Sequence, residues 1–265
     1  MNKIAKALKA FSLLIRQPSL LNRVLNDNEV MKKKVAKQFP QGLPVVDLLT
    51  LFPSFSETVA PYSFLDGTSS PLDMAMLRAL AKRFPACRYF EIGTWRGESV
   101  ANVAAVAKEC ITLNLPDNEM RKMGLPEEYI SLHRFFSKNL TNVQHLQHHS
   151  SSFDFNSIGK FDLIFVDGDH HYEQVKKDTA NVFTMLKDES SIIVWHDYLD
   201  ANGQIRYEVM AGLLHGCPGE FRPNLYHVSN TMCAIFITKK LSSESAHSFS
   251  NPDKIFNISI SAKRL

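Results

Sequence analysis

Phe161-Asp-Leu-Ile-Phe-Val-Asp-Gly-Asp-His-His-Tyr172 decides how this chain is read. An apolar run ends in two carboxylates, Asp167 and Asp169, and two imidazoles, His170 and His171, and a helical pattern follows at once. In open α/β sheets the carboxyl ends of the strands line the crevice where ligands bind. A second run about thirty residues on, Ile192-Ile-Val-Trp-His-Asp-Tyr198, ends in His196 and Asp197. Two strand ends carrying Asp and His predict one shared site.

Outward from these runs, strand and helix patterns alternate. Strands are expected over 88–92, 111–115, 143–148, 161–166 and 191–195. Helices are expected over 72–84, where Leu72, Ala75, Met76, Ala79 and Leu80 share a face, and over 99–108 and 126–137. A further helix carries Tyr172, Val175, Thr179, Val182, Phe183 and Leu186 on one side. Such alternation implies a mostly parallel sheet covered on both faces. After a helix over 204–214, the runs 225–229 and 232–238 are separated by a very short turn at Asn230, which permits only an antiparallel pair. The predicted fold class is therefore α/β and Rossmann-like, with a C-terminal antiparallel hairpin.

Residues 1–70 read as an N-terminal helical extension, broken near Pro18, and an irregular linker punctuated by Pro40, Pro44, Pro53 and Pro61. The domain is expected over 71–240. A tail follows over 241–265, serine-rich from Ser242 to Ser250. Arg78, Lys82 and Arg83 read as a solvated helix face, and Phe135, Phe136 and Phe153 as core.

At 265 residues and 45% hydrophobic content the chain can bury one sizeable core. A net charge of +3, with no basic block interleaved with aromatics, argues against nucleic acid. Four cysteines without paired spacing suit reduced thiols and a cytoplasmic location. The apolar stretch within residues 4–15 is too short to span a membrane. Mixed with lysines, it suits a plain surface helix, with an amphipathic helix touching a membrane surface or a partner as the alternative.

Phe90-Glu-Ile-Gly-Thr-Trp-Arg-Gly-Glu-Ser99 runs from a strand through a glycine turn into a helix. Gly93 lets backbone approach a ligand, and the helix start offers free N–H groups. The three-glycine spacing of dinucleotide binders is missing, which counts against NAD. A valine at Gly93 is expected to block a ligand while leaving the fold largely intact.

The segment Glu91–Ser99 resembles motif I of the class I S-adenosylmethionine-dependent methyltransferases. It is similar to the short form in catechol O-methyltransferase and in the macrocin O-methyltransferase-like enzymes of methyltransferase family 24. The segments at 166–172 and 195–198 resemble later motifs of that second group. The resemblance spans about 72–238 and implies a class I fold, S-adenosylmethionine as cofactor and O-methylation of a hydroxylated small molecule, a sugar or glycoside being favoured. It implies that Glu91, Gly93, Thr94, Trp95, Gly97 and Ser99 surround the methionine half of the cofactor. Asn114 takes the ribose position, His149 and Ser150 the adenine position, and Asp167 borders both cofactor and metal. Asp167, His196 and Asp197 match the positions that hold a divalent cation, Mg²⁺ or Mn²⁺. His170 matches the general base, oriented by Asp169. If the helix starts there, the rings of His170 and His171 diverge by about 100°, so that one faces the site.

Two rivals stand beside this reading: a cephalosporin-hydroxylase-like enzyme, and a non-catalytic binding protein on the same fold. No nucleic-acid partner or membrane span is expected, and homo-oligomerisation stays open.

Overall fold

The computed structural model describes residues 2–16, 28–245 and 252–264. The break expected at Pro18 and the serines at 246–250 lie outside the described residues. Helix α1 spans Lys3–Arg16 and α2 spans Asn28–Val35. Strand β1 (Val45–Val46) and the short α3 (Leu48–Leu51) follow, then α4 (Pro71–Ala81), β2 (Arg88–Ile92), α5 (Glu98–Ala104) and β3 (Glu109–Asn114). The middle of the chain adds α6 (Asp117–Lys122), α7 (Glu127–Ser131), β4 (Val143–Gln147), β5 (Leu163–Val166) and α8 (Tyr172–Phe183). It closes with β6 (Ile192–Trp195), α9 (Tyr207–Gly216), β7 (Leu225–Val228) and β8 (Ala234–Phe236).

One eight-stranded sheet runs in the order β1-β7-β8-β6-β5-β2-β3-β4. Strands β2 to β6 pair in parallel, whereas β8 runs antiparallel to both β6 and β7. The chain leaves β2 toward β3 and β4, then returns to β5 on the other side. The switch point therefore falls between the carboxyl ends of β2 and β5, where doubly wound sheets bind ligands. The hairpin turns at Asn230, whose φ of 65° lies in the left-handed region asparagine tolerates.

Alternation along the strands feeds two cores. Phe90, Ile164, Ile193 and Trp195 face α8 and α9, meeting Val175, Val182, Met210 and Leu213. Tyr89, Leu163, Phe165 and Val194 face the other way, meeting Met76, Leu77, Leu80, Val100 and Val103 of α4 and α5. Central strands buried on both faces explain the unbroken apolar runs in the sequence. All four cysteines are free and buried.

Several expectations need correction. The helix expected over 126–137 stops at Ser131. Arg134 takes a φ of 64°, and the following turn donates from Arg134 N to Trp95 O and from Phe136 N to Arg96 O. Tertiary bonds to the glycine turn override local helix propensity here. Phe135 is exposed rather than core. Of the basic residues read as a solvated face, Lys82 and Arg83 are exposed and Arg78 is half-buried, but all three are engaged. Arg78 and Lys82 pair with the buried Glu57, and Arg83 donates to Leu51 O, fastening the segment before α4. Residues 45–70, expected as a linker, instead complete the sheet edge through β1 and wall the crevice. The tail returns as well, with a Val45–Glu244 bridge and a Lys254–Asp47 ion pair.

Candidate active site

The crevice at the switch point is floored by the glycine turn. Gly93 has a φ of 95°, and an added Cβ would lie 2.0 Å from the carbonyl oxygen of Asp167. Gly97 has a φ of 79°, and a Cβ there would meet Ser137 Oγ at 2.1 Å. Both glycines are thus demanded by packing as well as by left-handed backbone, because no L side chain fits either space. The expectation that valine at Gly93 spares the fold is overturned by this contact with the end of β5.

Glu91 does not line the crevice. It is fully buried beneath the turn, accepting from Tyr89 Oη at 2.8 Å and Thr112 Oγ1 at 3.2 Å. Burial pushes its carboxyl up to about 8, even though the Tyr89, Ser99 and Thr112 hydroxyls favour the charged form. It braces the β2 end from below, and Ser99 is also buried. Thr94 bonds Thr112, and its backbone N–H donates to Asn114 Oδ1 at 3.3 Å. That bond ties the end of β3 to the glycine turn and holds Asn114, half-buried, at the rim of the crevice. Trp95 packs against Tyr129 and His133, and its buried Nε1 finds no acceptor. His149 is exposed and caps a 3₁₀ turn through Ser151, while Ser150 Oγ accepts from Gln174 of α8.

The two strand ends converge. His196 Nδ1 lies 3.1 Å from Asp167 Oδ1 and 3.7 Å from Asp197 Oδ2. One ligand atom from each residue lies within 4.8 Å of the others. His196 is buried, and its Nδ1 makes no well-aligned hydrogen bond although carboxylates surround it. Burial alone would push the imidazole down, but Asp167, Asp197 and Asp73 outweigh it and hold it well above the usual histidine range. Burial would raise the Asp197 carboxyl, yet His196 and Arg206 hold it low. Asp197 adopts a φ of 58°, the kind of unfavourable backbone that persists where surrounding structure enforces it.

Three carboxylates around one imidazole suit a cation. Metal–ligand bonds near 2 Å need donor atoms a few ångströms apart, all facing one point. Asp167, His196 and Asp197 meet the distance requirement, and the unaligned Nδ1 is the atom a cation would take.

Sequence reasoning missed four residues. Asp73, fully buried at the start of α4, closes a capping box with Ser70 and lies 3.4 Å from His196 Nε2. Its pair with one ring nitrogen turns the other toward Asp167 and Asp197. Burial would raise the Asp73 carboxyl, but His196, Ser70 and the Met232 N–H hold it low. Ser69 Oγ donates to Asp167 Oδ2 at 3.2 Å. Arg96 and Glu98 are a buried pair that grips residues 63–68: Arg96 donates to Leu65 O, Asp66 O and Thr68, and Glu98 accepts from Ser63 N and Thr68. The available signals were the Ser-x-x-Asp box and a charge on the apolar side of a helix.

The crevice mouth corrects the histidine geometry. Helix α8 starts only at Tyr172, with His171 as its cap, so the rings of His170 and His171 stack, 5.4 Å apart and 16° from parallel. Asp169 bonds the backbone and ring of His171, not His170. Both histidines are exposed.

Residues 90–198 match a family model described as a methyltransferase domain, of methyltransferase family 24. A search of curated proteins found no match. Among solved structures, the chain is similar to cofactor-bound Rv0187 from MTB at 17% identity, covering 66% of this chain and 84% of that one with a TM-score of 0.46. The S-adenosylhomocysteine-bound methyltransferase PaMTH1 of Podospora anserina matches at 17% identity, over 65% and 80%, with a TM-score of 0.44. CalS11, a TDP-rhamnose 3′-O-methyltransferase of calicheamicin biosynthesis, matches at 14%, over 63% and 77%, with a TM-score of 0.43. Likenesses this distant assign no residue a role. The family match falls on the glycine turn and both strand-end clusters, so residues 90–198 are similar to a methyltransferase domain.

Proposed function

We propose that the chain transfers a methyl group from S-adenosylmethionine to a hydroxyl of a small molecule, a sugar or glycoside being the favoured class. The observation that carries this reading is the Asp167–His196–Asp197 cluster one strand away from the glycine turn. That spacing suits a cofactor over the turn and an acceptor oxygen beside the cluster, held for in-line transfer. The sugar preference rests on the resemblance of the motifs to the macrocin group.

Asp167, His196 and Asp197 would hold Mg²⁺ or Mn²⁺, which when bound acidifies a hydroxyl. His170, at the crevice mouth, is the proposed base, which would take the acceptor proton. Asp169 acts on His171 and through it fixes the start of α8. Asn114 would hydrogen-bond the ribose hydroxyls, and His149 and Ser150 would border the adenine. Glu91, Gly93, Thr94, Trp95, Gly97 and Ser99 shape and support the methionine end, with Glu91 acting from beneath.

Isothermal titration with S-adenosylhomocysteine, with and without Mn²⁺, tests this reading. Saturable one-to-one binding is expected, with Mn²⁺ binding separately at the carboxylate–imidazole cluster. Absence of S-adenosylhomocysteine binding under either condition would point to the non-catalytic alternative.

A further inference from the structure

Helix α1 has no buried residue. Ile4, Leu8, Phe11 and Ile15 recur at helical spacing and stand 72%, 67%, 65% and 66% exposed on one stripe. Lys3, Lys6 and Lys9 lie around the rest of the helix, Arg16 is in its last turn, and no acidic residue occurs from Lys3 to Arg16. We infer that α1 docks the protein on an anionic lipid surface, with its apolar stripe in the acyl boundary and its lysines among the headgroup phosphates.

Charge complementarity selects this occupant. The first 37 residues hold nine Lys or Arg and two Asp or Glu, a balance of +7 in a chain of net +3. The remaining residues therefore sum to −4, and a body of that sign is repelled by an anionic surface. The basic arm alone attracts it, which is the asymmetry membrane-binding extensions show. A second copy fits poorly, because it offers the same cations and no carboxylate between residues 3 and 16 to meet them. Nucleic acid would satisfy the lysines but leave the four large apolar side chains in water. Fourteen residues make a helix roughly 21 Å long, short of the ~30 Å hydrocarbon core, so α1 lies in the interface plane. Among the described residues no helix is long and apolar enough to cross a membrane.

The inference is independent of the methyl-transfer chemistry and is tested without it. The full-length protein is sedimented with vesicles of phosphatidylcholine alone or mixed with phosphatidylglycerol. Binding is expected to the anionic vesicles only, and to weaken as salt screens the headgroups. Leu8→Glu combined with Phe11→Glu should weaken binding by about tenfold or more with the melting temperature unchanged, since both positions are exposed. Lys3→Gln, Lys6→Gln and Lys9→Gln together should also cost at least about tenfold. Three results would overturn the inference: no vesicle binding, equal binding to neutral and anionic vesicles, or wild-type binding by either variant. So would displacement from the vesicles by duplex DNA.

Discussion

At the residue scale, the site depends on a pair in which only one member looks functional in the sequence. His196 and Asp197 end an apolar run and are conspicuous, whereas Asp73 sits at the third position of an ordinary helix start. Its carboxylate faces His196 Nε2 inside the core, which leaves Nδ1 to face Asp167 and Asp197. Partners behind a ligating histidine fix its orientation and tautomer, and losing one costs about 10- to 100-fold in metal affinity. Asp73→Asn should therefore weaken Mn²⁺ binding by at least about tenfold in a calorimetric titration, while the protein stays folded by circular dichroism. Unchanged affinity would show that Asp73 only caps α4. Glu91 teaches the converse. The motif resemblance implies that it lines the cofactor, but full burial beneath the turn makes it a brace.

At the element scale, strands and helices with strong periodicity were legible, and the parts governed by tertiary contacts were not. Helix α8 and the hairpin at Asn230 stand where apolar spacing and a left-handed residue put them. The two-residue strand β1 carries too little pattern to read among its flanking prolines. The segment at 57–70 lacks periodicity because side chains from other elements hold it: Arg96, Glu98, Asn102 and Asp167 bond its backbone or side chains. The glycine turn was recognised, but its second duty was not. It packs on the end of β5, so Gly93→Val should lower the melting temperature sharply or prevent soluble expression, rather than silence binding alone. A Gly93→Val protein melting like the parent, measured by calorimetry, would contradict the packing described.

At the scale of the whole molecule, strand–helix alternation gave the α/β class and the doubly wound sheet, because βαβ units pair in parallel and strands buried on both faces read as apolar runs. What remained hidden was long-range: β1 and Glu244 join residues far apart in sequence, and no local pattern announces such pairing. The topology brings the ends of β2, β5 and β6 side by side, and it is this adjacency that makes one site of three motifs. A crystal of the protein grown with S-adenosylhomocysteine and Mn²⁺ tests that claim most directly. The account predicts an anomalous peak between Asp167, His196 and Asp197, ligand density over the Gly93 turn, and the His170 ring facing the ligand sulfur. Ordered ligand density elsewhere, or an occupied Gly93 crevice with His170 turned away and Mn²⁺ bound to other residues, would contradict it.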